Sequence, residues 1–133
     1  MIYVYNRKIE THHGVNNFYI GRGSILGNPY SPITEKKTKA IYKAADRDDA
    51  INKYSHYFDI MYGSNKAFTK AVDEIYNVYQ SGEDVYLECY CKKYNSSVNS
   101  SDDVRCHGDV IKEKMENRLL KEKIMEKLNK KNI

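Results

Sequence analysis

Between Val85 and Cys91 the chain alternates side chains in a strict two-residue period. Val85, Leu87, Cys89 and Cys91 fall on one face, and Tyr86, Glu88 and Tyr90 on the other. Amphipathic helical patterns flank this segment on both sides. Upstream, Ala50, Ile51, Tyr54, Tyr57, Phe58 and Met61 recur at three- and four-residue steps after Asp46, a suitable N-cap. Gly63-Ser64-Asn65 interrupts that pattern. A second stripe follows, Phe68, Ala71, Val72, Ile75 and Val78-Tyr79, and Ser81-Gly82 closes it. Downstream, from His107, a long helix is expected with a core stripe of Ile111, Met115, Leu119-Leu120, Ile124 and Leu128. A strand framed by helices cannot pair with its neighbours through hairpins. It calls for a parallel sheet with crossover connections.

Two further strands are expected near the N-terminus, at Ile2-Tyr3-Val4-Tyr5 and at Asn17 to Ile20. The segment between them, Asn6 to Asn16, is polar, and His12-His13 in it read as solvated loop histidines. Ser31 to Ala45 carries no decisive pattern. The expected fold class is therefore α/β: a small, largely parallel, Rossmann-like sheet with flanking helices and a long C-terminal helix. At 133 residues, one domain over 1–133 is expected. No apolar run approaches membrane-spanning length, and the first twenty residues lack a signal-peptide core. These features predict a cytoplasmic protein with no membrane partner. Three cysteines are an odd count, which argues against a disulfide framework. The net charge of +4 is modest, and the lysine-rich stretch Lys121 to Lys131 reads as a solvated helix face. Thirteen tyrosines with no tryptophan, among many Lys, Asn and Ile, fit an AT-rich genome such as that of a virus, a phage or a Firmicute.

The chemistry is expected at the carboxyl ends of the strands, where open α/β sheets bind ligands. Gly21-Arg22-Gly23-Ser24-Ile25-Leu26-Gly27-Asn28-Pro29-Tyr30 follows the second strand and gathers three of the seven glycines. A glycine-rich loop holding an arginine and a serine is suited to an anion such as a phosphate. It lacks the GK[ST] ending of a Walker loop and the spacing of the dinucleotide fingerprint. The other loop at that edge leads into the helix at His107. There Arg105, His107 and Gly108 would add a cation, a hydrogen-bond donor and room for a ligand at a helix N-terminus. Tyr30 and Tyr90 flank the same region as candidate stacking surfaces. The expected ligand-binding set is thus Gly21, Arg22, Gly23, Ser24, Gly27, Asn28, Tyr30, Tyr90, Arg105, His107 and Gly108.

Cys89, Cys91, Cys106 and His107 are ligand types suited to zinc, but C-x-C on a strand is not the usual knuckle spacing. The cysteines are therefore read as mainly structural, with no cofactor expected and zinc as the alternative. Catalysis on a glycosidic bond would need a carboxylate. Glu88 and Asp109 are the candidates, with Asp46 behind them. Glu88 is either an exposed group on an edge strand or a buried carboxylate in need of partners. Lys92 to Arg105, polar and rich in serine, reads as a loop placed to cover the site.

These pieces, in this order, resemble domain-of-unknown-function family 4326, found in bacteria and phages. The resemblance is carried by Ile20-Gly21-Arg22-Gly23-Ser24 with Gly27-Asn28-Pro29-Tyr30, by Arg47-Asp48-Asp49-Ala50-Ile51-Asn52-Lys53-Tyr54, and by Leu87-Glu88-Cys89-Tyr90-Cys91 with Cys106-His107-Gly108-Asp109-Val110. The linker between the last two motifs is longer here, and Tyr90 stands where the family tends to place tryptophan. The resemblance implies a Rossmann-like fold and a nucleotide-type ligand, since such families often bind nucleotides and some cleave N-glycosidic bonds. The leading expectation is capture of a phosphorylated nucleotide-like molecule, in a phage a host immune or signalling nucleotide. A nucleoside or nucleotide N-glycosidase is the alternative, and a nucleic-acid-binding module a third, which no recognition motif supports. A homo-oligomer is compatible with all three.

Overall fold

The computed structural model describes residues 1–6, 8, 14–31, 42–89 and 106–131. Three strands form a parallel sheet: β1 (Ile2–Asn6), β2 (Asn17–Tyr19) and β5 (Val85–Cys89), in the order β1-β5-β2. The alternating segment is the middle strand. Val4 sits opposite Leu87, Asn6 opposite Cys89, and Tyr19 opposite Glu88. A two-stranded parallel ladder, β3 (Tyr30–Ser31) with β4 (Tyr42–Lys43), occupies the stretch in which the sequence shows no pattern.

The helices begin where their capping chemistry directs. In α1 (Arg47–Met61) the Asp46 side chain accepts from the Asp49 N–H at 2.8 Å. In α2 (Lys66–Gln80) Asn65 does the same for Phe68 at 3.0 Å. The last helix, α3 (His107–Lys131), runs 25 residues.

The two faces of the sheet differ. Ile2, Val4, Val85, Leu87 and Cys89 are buried in one core with Phe68, Val72, Ile75, Ile111 and Met115 from α2 and α3. Tyr3, Tyr5, Tyr86 and Glu88 share the opposite face, where Tyr3 and Tyr86 stack at 5.2 Å. The stripe expected along α3 is shorter than its spacing predicts. Ile111 and Met115 are buried and Leu119 packs at the margin, but Leu120, Ile124 and Leu128 are exposed. The reason is length: at about 1.5 Å per residue α3 reaches about 37 Å, whereas five-residue strands span about 17 Å. None of the described helices is long and apolar enough to cross a membrane.

Candidate functional site

Because these three strands are parallel, their carboxyl ends share one edge, and there the structure brings the start of α3 against the glycine loop. The His107 ring at the start of α3 donates from Nε2 to the carbonyl of Ile20, the residue before the glycine loop, at 2.5 Å. A carbonyl can only accept, so the proton is on Nε2. Tyr54 of α1 ties the same parts from the other side. Its ring meets that of His107 edge-on at 5.2 Å, and its hydroxyl donates to the Leu26 carbonyl at 2.7 Å. Tyr54 is fully buried, and that burial pushes its phenol well above the ordinary range. The sequence places Tyr54 only on an apolar helix face.

The loop is folded upon itself. Gly21 is buried, and its carbonyl accepts from the Ser24 N–H and hydroxyl, at 3.1 and 2.7 Å. Gly23 is exposed at the tip of that turn. Asn28 is 7% exposed: its Oδ1 accepts from the Tyr30 N–H and its Nδ2 donates to the Ala50 carbonyl on α1. A Cβ on Gly27 would lie 2.8 Å from the Gly21 carbonyl oxygen and 2.9 Å from Arg22 Cα, so backbone passes backbone here with no room for a side chain. Ser24, Gly27 and Asn28 therefore shape the loop.

Arg22 is different. Its Nε donates to the Asn28 carbonyl at 3.1 Å and its Nη2 to the Tyr30 carbonyl at 2.8 Å. These bonds aim the guanidinium without neutralising it, and no carboxylate pairs with it among the described residues. Burial pulls its pKa below the ordinary arginine value. Tyr30 lies beside it, half-buried, with its ring edge against Tyr57 and the Lys53 ammonium 6.0 Å from its centroid.

The start of α3 is already supplied. The Asp109 carboxylate accepts from the Cys106 N–H at 2.8 Å, the Asp109 N–H bonds the Cys106 carbonyl, and the Gly108 N–H points at Cys106 Sγ at 3.4 Å. A carboxylate thus occupies the positive end of the helix, and Asp109, like Asp46, serves as a cap. Gly108 is placed by packing: a Cβ there would come within 2.6 Å of Val4 Cγ1 and 2.8 Å of Ile20 Cδ1.

Glu88 lies on the central strand, not an edge, and is 9% exposed. Its Oε1 accepts from the Tyr5 hydroxyl at 3.0 Å and from Asn17 Nδ2 at 3.3 Å. Its backbone carbonyl accepts from Ile20 N–H, one residue before the glycine loop. Cys89 and Cys106 are buried with their sulfurs 3.1 Å apart. Cys106 is disulfide-bonded, although the odd cysteine count argues against a disulfide framework. The predicted site residues Tyr90, Cys91 and Arg105, the Lys92 to Arg105 loop, and His12-His13 lie outside the described residues. A shallow groove of about 450 Å³ along α2, lined by Lys66, Lys70 and Asp73 among others, shares no residue with this edge.

Residues 5–117 match the family described as Domain of unknown function (DUF4326), and the chain belongs to that family. No curated protein and no solved structure matches it.

Proposed function

We propose that this chain binds a phosphorylated, nucleotide-like small molecule at the carboxyl edge of its parallel sheet. The phosphate meets Arg22 and the base lies on Tyr30. Arg22 carries the reading. Among the described residues no carboxylate lies beside this half-buried guanidinium, and such a charge is costly unless an anion completes it. Two carbonyl bonds fix its plane, and the remaining N–H groups form the fork that suits phosphate oxygens. Tyr30 supports a stacking partner, being held by the same guanidinium through its carbonyl and flanked by Lys53.

Titration calorimetry with nucleoside mono- and diphosphates, set against the parent nucleosides and inorganic phosphate, tests this. Arg22→Ala is expected to weaken binding of the phosphorylated compounds by roughly ten- to two-hundred-fold, the worth of a hydrogen bond to a charged group. Equal binding by the folded variant, or no nucleotide recovered with the native protein by mass spectrometry, would overturn the reading.

A second reading follows from Glu88, a carboxylate held in the central strand by Tyr5 and Asn17. If the ligand's N-glycosidic bond is cleaved, this carboxylate supports the oxocarbenium-like state or activates water. Glu88→Gln should then keep nucleotide binding and abolish release of free base, followed by chromatography. Release unchanged in that variant removes Glu88 from the chemistry.

A further inference from the structure

Helix α3 outruns the sheet it packs on, and its far end carries an apolar row that the domain leaves uncovered. Leu120, Ile124, Met125 and Leu128 are 58%, 49%, 57% and 50% exposed. Leu120, Ile124 and Leu128 recur every four residues, so they stand one above another on the helix. This row does not continue the buried side of α3. Glu122 does: its Oε2 accepts from the Tyr76 hydroxyl at 2.5 Å and from Gln80 Nε2 at 3.2 Å, which keeps that side turned to α2. Ile124, two residues on, lies on nearly the opposite side of the helix.

The charges around the row are one-sided. Residues three and four apart are neighbours on a helix. By that spacing Lys121 and Lys127 border Ile124, Lys123 borders Leu120, and no acid borders Ile124 or Leu128. Lys121, Lys123, Lys127 and Lys130 are exposed, and none forms an ion pair among the described residues.

We propose that this end of α3 anchors the protein to an anionic bilayer surface. The Leu120–Ile124–Leu128 row, with Met125, enters the headgroup boundary, and the bordering lysines meet lipid phosphates. The charge pattern selects this occupant. A second copy packed antiparallel about Ile124 would set Lys121 and Lys127 of the two copies against each other, like charge against like. A nucleic acid would take the lysines and leave the apolar row in water. An anionic bilayer satisfies both. The expectation of no membrane partner rests on the lack of a spanning segment, and a helix lying in the interface needs none. The proposal does not depend on the ligand at Arg22.

The test is co-sedimentation of the full chain with vesicles of phosphatidylcholine, alone or with an equal part of phosphatidylglycerol, at physiological ionic strength. Far-UV circular dichroism is the folding control. Binding to the anionic vesicles is expected to be at least about tenfold tighter than to the neutral ones. Ile124→Ser combined with Leu128→Ser should weaken it by at least about tenfold. Lys121→Gln and Lys127→Gln should each weaken it about fivefold. Lys66→Gln with Lys70→Gln, at the other end of α2 from Gln80, should leave it unchanged. If the apolar variant fails to fold, the contrast between the two lysine pairs decides. No vesicle binding, equal binding to both vesicle types, wild-type binding by the folded apolar variant, or equal losses from the two lysine pairs would each overturn the proposal. A dimer seen by analytical ultracentrifugation and abolished by Ile124→Ser with Leu128→Ser, without vesicle binding, would overturn it in favour of a second copy.

Discussion

Two arginines, Arg22 and Arg118, are held in contrasting surroundings among the described residues. Arg118, on α3, is enclosed by partners. Its Nη1 donates to Asp73 Oδ1 and to the Tyr62 hydroxyl, its Nε reaches Glu122 Oε1, and its guanidinium lies 3.8 Å from the centre of the Tyr76 ring. Burial pulls its pKa down, but the hydrogen bond it donates to Asp73 and its interactions with Tyr62 and Glu122 outweigh that, and the net shift is upward. Tyr62, Asp73 and Glu122 come from the end of α1, from α2 and from α3, so one cation stitches three helices. Among the described residues Arg22 bonds carbonyls, and burial lowers its pKa. Arg118 finds its anions inside the fold. Among the described residues Arg22 has none, which is the observation behind the proposed anion site.

Four substitutions would break or sharpen this contrast. The largest effect is expected for Arg22→Ala on ligand affinity, about 1.5–3 kcal/mol, with the unfolding midpoint in urea little changed. A large midpoint shift with unchanged affinity would make Arg22 a second Arg118. Gly27→Ala forces a methyl into the Gly21–Arg22 backbone and should cost about 1–3 kcal/mol of stability, together with ligand binding, since it displaces the turn that aims Arg22. Arg118→Ala should lower stability by about 1–2 kcal/mol, held down because 39% of its side chain is open to water, and should leave affinity unchanged. Tyr76→Phe removes only the hydroxyl bond to Glu122 Oε2 and should cost about 0.5–1.5 kcal/mol in the same urea titration. A larger loss would show that Tyr76 positions the whole cluster.

The sequence makes the architecture legible because period and capping are local. Asp46, Asn65 and the alternation from Val85 to Cys89 each fix an element from within a few residues. The parallel sheet follows from strands separated by helices. The meeting of the glycine loop with the start of α3 follows in turn from that topology. Partnership across the fold is not local, and there the sequence reading falls short. Nothing in the neighbourhood of Glu88 marks it as central and buried, because that depends on β1 and β2 both choosing β5. Asp109 reads as an acid beside a pocket, yet its reach is back to the Cys106 N–H. The exposed end of α3 has the same cause: Leu120, Ile124 and Leu128 keep the helical period after the rest of the domain has ended. The Arg118 cluster, assembled from three helices, leaves no motif in any one of them.

The strand order has a consequence for how the chain acquires its shape. β1 and β2 each pair with β5 in the sheet, and β5 is made last of the three. Met1 and Asp84, joined at the start of the ladder, are 83 residues apart. A nascent chain that has reached Gln80 therefore holds β1 and β2 without the strand that joins them, and among the described residues of its N-terminal half the pairing available is the short β3–β4 ladder. Closing so long a loop before any pairing in the three-stranded sheet is gained places the rate-limiting step at the docking of β5. The α2 helix, capped by its own Asn65, can form earlier. Folding on the ribosome should accordingly wait until Cys89 has cleared the exit tunnel, and any fragment ending before Val85 should be a target for proteolysis.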